Sequence, residues 1–160
     1  MPFYDDSTQN MITDHILGLR VDRAPSVTPQ HGGVDDVIYF NIYAGNILMT
    51  LLVGEVTTVM AAGANSVDIY HTPTVGAAAA IAAATSIASY AEGDIFTITG
   101  LLTDTMLPAV TAGASHSMTY GGVILTPGAI TFNATAGTTG NWKWSLWYFP
   151  LEEGAYVEAA

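Results

Sequence analysis

The chain has 160 residues, of which 50% are apolar and only 11% charged, against roughly 25% charged in an ordinary soluble domain. That length allows one domain with a real core, and so low a charge leaves much of the surface to Thr, Ser, Ala, Asn and Gly. The 14 acidic residues face three cations, Arg20, Arg23 and Lys143, giving a formal net charge of −11 with no cysteine. Three scattered cations build neither a phosphate-binding stripe nor a polybasic patch for anionic lipid, which excludes nucleic acid and membrane as partners, and the lack of cysteine removes disulfides and thiolate chemistry.

Residues 1–35 differ from the rest. They hold Pro2, Pro25, Pro29, the pair Gly32 and Gly33, and both arginines. Met11, Ile12, Ile16, Leu17 and Leu19 allow one helical turn, and residues 22–33 have the composition of a loop. The segment is expected to be an extended N-terminal arm, ordered by contact with a neighbour because its apolar content is too small to fold alone. Its acidic residues do not fit a secretory signal, and the apolar run at residues 47–53 is too short to span a bilayer as a helix. A protein made in the cytoplasm is expected.

From residue 36 to 160 the punctuation is that of an all-β domain. Residues 37–43 (VIYFNIY) alternate, with Ile38, Phe40 and Ile42 on one face. Residues 47–59 form a second strand whose near-continuous apolar run suits a central position. Residues 66–71 make a short strand stopped by Pro73. Residues 76–91 are rich in alanine, the best helix former, but Ile81, Ala83, Thr85, Ile87 and Ser89 alternate, which favours an extended segment. Residues 95–99 form a strand, residues 101–113 a loop, and residues 115–120, 123–126 and 129–134 further short strands, with Pro127 and Gly128 turning between the last two.

In the last strand, residues 141–149 (NWKWSLWYF), alternation puts Trp142, Trp144, Leu146 and Tyr148 on one face and Lys143, Ser145, Trp147 and Phe149 on the other. About eight short strands with close turns predict an antiparallel β-sandwich or jelly-roll-like barrel.

No catalytic pattern accompanies this framework. His15, His31, His71 and His116 lie in four separate segments, with no HExxH or paired spacing, and are expected on the surface or in loops. Adjacent carboxylates such as Asp35 and Asp36 point to opposite faces of a strand. There is no GxSxG elbow, no P-loop and no GxGxxG site. The expectation is a non-enzyme with no cofactor, no metal and no small-molecule ligand. Trp142, Trp144 and Trp147 with Tyr148 form a candidate sugar-stacking platform, although large aromatics in a sandwich are more often core on one face and interface on the other.

Residues 122–128 (GVILTPG), Ile130 to Phe132, and residues 142–157 (WKWSLWYFPLEEGAYV) resemble small virion proteins of tailed bacteriophages, in particular capsid decoration, or cement, proteins. The resemblance carries no catalytic residue. It implies a structural role on the outer capsid surface of the virion. The partners it implies are the major capsid protein, whose subunit joints would be bridged, and the chain itself, as a homodimer or homotrimer. Under it the partner-binding residues are Leu17, Leu19, Arg20, Val21, Arg23 and Pro25 of the arm, with Leu51, Val53, Trp147 and Phe149 of the β body. The alternative is a glycan- or host-binding module of a phage fibre, or another minor head or connector protein.

Overall fold

Strands that bury one face and wet the other must stack in pairs, and this chain does so. The computed structural model describes residues 17–27, 37–63, 65–109, 118, 121–136 and 139–160. Among the described residues there are eleven strands and no helix: β1 (Leu19–Val27), β2 (Val37–Tyr43), β3 (Ile47–Thr58), β4 (Ser66–Pro73), β5 (Ala79–Ser86), β6 (Ile95–Thr97), β7 (Leu107–Ala109), β8 (Val123–Leu125), β9 (Gly128–Ala134), β10 (Asn141–Pro150) and β11 (Tyr156–Ala159). The six-stranded sheet A runs β1-β10-β3-β6-β7, with β8 also on β3, and the five-stranded sheet B runs β11-β2-β9-β4-β5. Every pairing between these strands is antiparallel. The expected β-sandwich is what the structure shows.

The core lies between the sheets and is dominated by β10. Trp142, Trp144, Leu146 and Tyr148 are buried, while Lys143, Ser145, Trp147 and Phe149 between them are only half-buried. Trp142 is the hub. Its ring meets Tyr39, Phe96, Phe132 and Trp144 edge-on at centroid distances of 5.3 to 6.3 Å, the geometry that aligns a positive ring edge with a negative ring face. Its Nε1 donates to the Tyr39 hydroxyl at 2.6 Å, satisfying a donor that burial would otherwise leave without water. Tyr39 also stacks on Phe132 at 4.0 Å. A register shift between Ile38 and Phe40 accompanies the burial of the neighbours Tyr39 and Phe40 together.

Three further hydrogen bonds lie at the margins of the sheets. The amide of Val157 on β11 donates to the Tyr148 hydroxyl of β10 at 3.2 Å. At the opposite margin the amide of Ala83 on β5 donates to the Asp104 carbonyl at 2.7 Å, and that of Met106 to Thr85 Oγ1 at 2.8 Å. The outer side of β5 is thereby partly occupied.

Several expectations change. Leu19–Val27, read as part of an arm, is an edge strand of sheet A paired along β10. Leu19, Val21 and Arg23 stand opposite the inward-facing Tyr148, Leu146 and Trp144, so half of the strand serves the chain's own body. Apart from the stretch at 17–18, the rest of the expected arm, residues 1–16 and 28–35, lies outside the described residues, as does the part of the expected helical turn from Met11 to Ile16, while its Leu19 belongs to β1. β7 falls inside the segment expected as a loop; it pairs on β6 alone, an edge position where Pro108 removes no needed donor. β11 had no counterpart among the expected strands. The alanine-rich segment is extended, with β5 on β4. The strand expected at residues 115–120 lies outside the described residues except for Met118, which is buried.

Candidate functional site

Sheet A turns a second set of side chains away from the core, and β10 and β3 set their order. Across the ladder Phe149 faces Leu48, Trp147 faces Leu51, Ser145 faces Val53 and Lys143 faces Glu55. β1 extends two rows, with Arg20 beside Trp147 and Asp22 beside Ser145. β8 extends another by placing Ile124 beside Leu48. Residues directly opposite in a ladder share a face, so one end of this surface is a continuous apolar group of Leu48, Leu51, Trp147, Phe149 and Ile124. All are half-buried except Ile124, which is 64% exposed.

The charges on this face cancel locally. Arg20 Nε meets Asp22 Oδ1 at 2.7 Å, and Lys143 Nζ meets Glu55 Oε2 at 2.8 Å. Partial burial raises the Asp22 carboxyl pKa, but hydrogen bonds from Ser145 and Arg20 and the positive charges of Arg20 and Lys143 outweigh it and hold the group below its ordinary value. The Arg20 guanidinium lies 4.9 Å from the centre of the Trp147 ring. Trp147 Nε1 is shielded from solvent and has no hydrogen-bond partner among the described residues. At the upper end of β3, Thr50 Oγ1 donates to the Leu17 carbonyl.

Arg20, Leu51, Val53, Trp147 and Phe149, five of the residues expected to bind partners, are thus gathered on one face. Leu19, Val21 and Arg23 are not. Val21 packs against the core, and the Arg23 guanidinium lies 3.9 Å over the Tyr39 ring with its Nη1 donating to Ser26. Pro25 sits exposed at the register shift between Arg23 and Ser26. Leu48, Ile124 and the Lys143–Glu55 pair belong to the face and were missed. The alternation around Leu48 holds the signal, but the bulge where Trp147 and Tyr148 face Leu51 and Met49 shifts its phase.

The sugar-stacking platform read from the tryptophans is overturned, because Trp142, Trp144 and Tyr148 are buried in the core. His71, expected at the surface or in a loop, is a buried strand residue, 8% exposed, with Nε2 3.1 Å from Thr126 Oγ1. Burial holds its pKa below the ordinary value, against a hydrogen bond to the Ala129 backbone that raises it. Among the described residues no group of three or more His, Asp or Glu is placed to hold a metal ion, and no helix is long and apolar enough to cross a membrane. No protein-family model, curated protein or solved structure matches the chain.

Proposed function

We propose that the chain is a non-enzymatic structural subunit that docks through the outer face of sheet A onto other protein subunits, and that it serves as a decoration protein on the outer surface of a phage capsid. The observation that carries the docking role is the contrast between this face and the whole molecule. On a chain with a net charge of −11, the face is charge-neutral, and its cations are matched one to one by carboxylates.

The outer face of a free-standing sandwich is ordinarily polar along every strand. Here it carries Trp147, Phe149, Leu48, Leu51 and Ile124 together. Depletion of net charge with enrichment of aromatic residues is the signature of the centre of a protein interface. The identity of the partner rests on the resemblance of the C-terminal third to capsid decoration proteins. Several modest contacts per oligomer would give firm attachment, since each bound subunit raises the effective concentration of the next.

The test is binding to purified phage heads, with the thermal stability of the heads measured with and without the protein. Wild-type protein is expected to bind and to raise head stability. Leu51→Asp is expected to abolish binding while the variant keeps its own fold by circular dichroism. Failure of the wild type to bind, or binding undiminished in Leu51→Asp and Trp147→Ala, overturns the proposal.

A further inference from the structure

The outer face of sheet B is of another kind. In its ladders Asn41 of β2 stands opposite Ala129 of β9, and Ala129 stands opposite Thr72 of β4. A single methyl group therefore separates two longer polar side chains. Gly128, the next residue on β9, pairs with the inward-facing Ile42, and a Cβ there would lie 2.3 Å from the Thr72 carbonyl oxygen. A trough of about 410 Å³ lies over the small Ala129, lined also by Asn41, Tyr43, Thr72, Thr74 and Gly128. Past Thr74 and Pro127 it adjoins a second hollow of about 390 Å³ that includes Asn46, Val75 and Thr126.

Three properties of this trough define what fits it. Among the described residues its lining contains no acid and no cation, so a charged ligand finds no counter-ion from them. Its walls offer an amide and threonine hydroxyls, groups that both donate and accept. Thr72 Oγ1 and Thr131 Oγ1 are 3.4 Å apart, a long contact that leaves capacity for another partner. Finally, an aromatic ring stands at its rim. Tyr43 stacks on Tyr156 of β11 with centroids 5.1 Å apart, and the two residues remain 40% and 43% exposed.

An extended peptide is the obvious competitor, but peptides join sheets at free edges. This trough crosses β2, β9 and β4, interior strands whose ladders are already formed on both sides. A ligand here must be recognised through side chains alone.

We propose that the trough binds a neutral oligosaccharide. The exposed part of the Tyr43 ring would meet the C–H face of a pyranose, and Asn41, Thr72 and Thr74 would meet its hydroxyls. The site is separate from the docking face, on the other sheet, and either assignment can fail without the other.

The test is an array of neutral glucan, galactan and mannan oligosaccharides, acidic uronate-containing oligosaccharides and a proline-rich peptide, followed by calorimetric titration of the strongest ligand. A neutral oligosaccharide is expected to bind. Tyr43→Ala and Ala129→Leu, the second of which fills the trough, are each expected to weaken it about tenfold or more, and Trp147→Ala on the opposite sheet to leave it unchanged. Thr74→Val, outside the strands, gives the same reading if Ala129→Leu does not fold. Absence of any neutral ligand, preference for the acidic sugars or the peptide, or affinity that survives the trough variants overturns the proposal.

Discussion

Gly54 of β3 and Trp144 of β10 are direct partners in the ladder, and a Cβ on Gly54 would lie 2.5 Å from the indole. The Trp144 ring occupies the space that any side chain at residue 54 would need. Gly54→Ala is expected to lower stability by about 1–3 kcal/mol through overpacking, read as a shift of the urea midpoint. Gly63, where a Cβ meets nothing within 4 Å, is the control: Gly63→Ala is expected to change stability by less than about 0.5 kcal/mol.

The Tyr39 hydroxyl is the acceptor for buried Trp142 Nε1. Tyr39→Phe keeps the ring stacks and removes only the acceptor, so the indole N–H is stranded. A loss of about 1–3 kcal/mol is expected, measured by chemical denaturation. Burial raises the Tyr39 pKa above its ordinary 10.0, although the hydrogen bond from Trp142 and the nearby Arg23 lower it. The folded state therefore favours the neutral phenol. Its contribution is intact below pH 10 and is lost as pH rises further, a dependence that Tyr39→Phe should remove.

His71 titrates in the opposite sense. Its pKa is held below 6.5 chiefly by burial, so on acidification the unfolded chain takes up a proton before the folded one does. Its contribution is complete above about pH 6.5 and diminishes as pH falls toward the lower folded-state value. Denaturation midpoints measured between about pH 8 and pH 5 are expected to decline in the wild type more than in His71→Gln. Equal slopes would mean that other groups govern the acid side.

Arg20 and Arg23, three residues apart on the edge strand β1, are expected to behave differently. The Arg20–Asp22 pair is more than half exposed, and such a pair contributes little because water screens it. Arg20→Ala is expected to alter stability by less than about 0.5 kcal/mol. Arg23 lies on the Tyr39 ring at 3.9 Å, and Arg23→Ala is expected to cost about 1–2 kcal/mol through lost cation–π contact and lost cover over the core. Thermal denaturation of both variants checks the contrast.

The strands that could be read from sequence are those whose alternation is carried by large apolar residues. β10 is the clearest, with Trp142, Trp144, Leu146 and Tyr148 inward, and β2 follows it, while β3 was legible from its near-continuous apolar run. β1 was obscured because its inward positions include Arg23, a cation that reaches an aromatic ring rather than water, and because Pro25 falls at an irregularity that an edge strand tolerates. β11 is four residues long with one buried side chain, too little for a period to register. β5 shows propensity overridden by pairing: isolated alanines favour a helix, yet here they lie along β4. Of the proposed docking face, Trp147 and Leu51 were legible singly. Their meeting with Arg20 depends on ladder registers that sequence does not state.

Under the proposed docking role, the use of every cationic side chain inside the molecule would also govern how quickly it meets its neighbours. Arg20 and Lys143 are held by carboxylates and Arg23 by a ring, so no basic patch is left to steer an acidic surface toward this one. In that role two copies, or a copy and any acidic lattice, would approach against a repulsive long-range field and adhere only once the neutral face is within reach. Added salt shortens that field to about 10 Å at 0.1 M. Encounter should therefore accelerate with ionic strength, the reverse of steered association, while the dissociation rate, set by apolar contact, stays nearly constant.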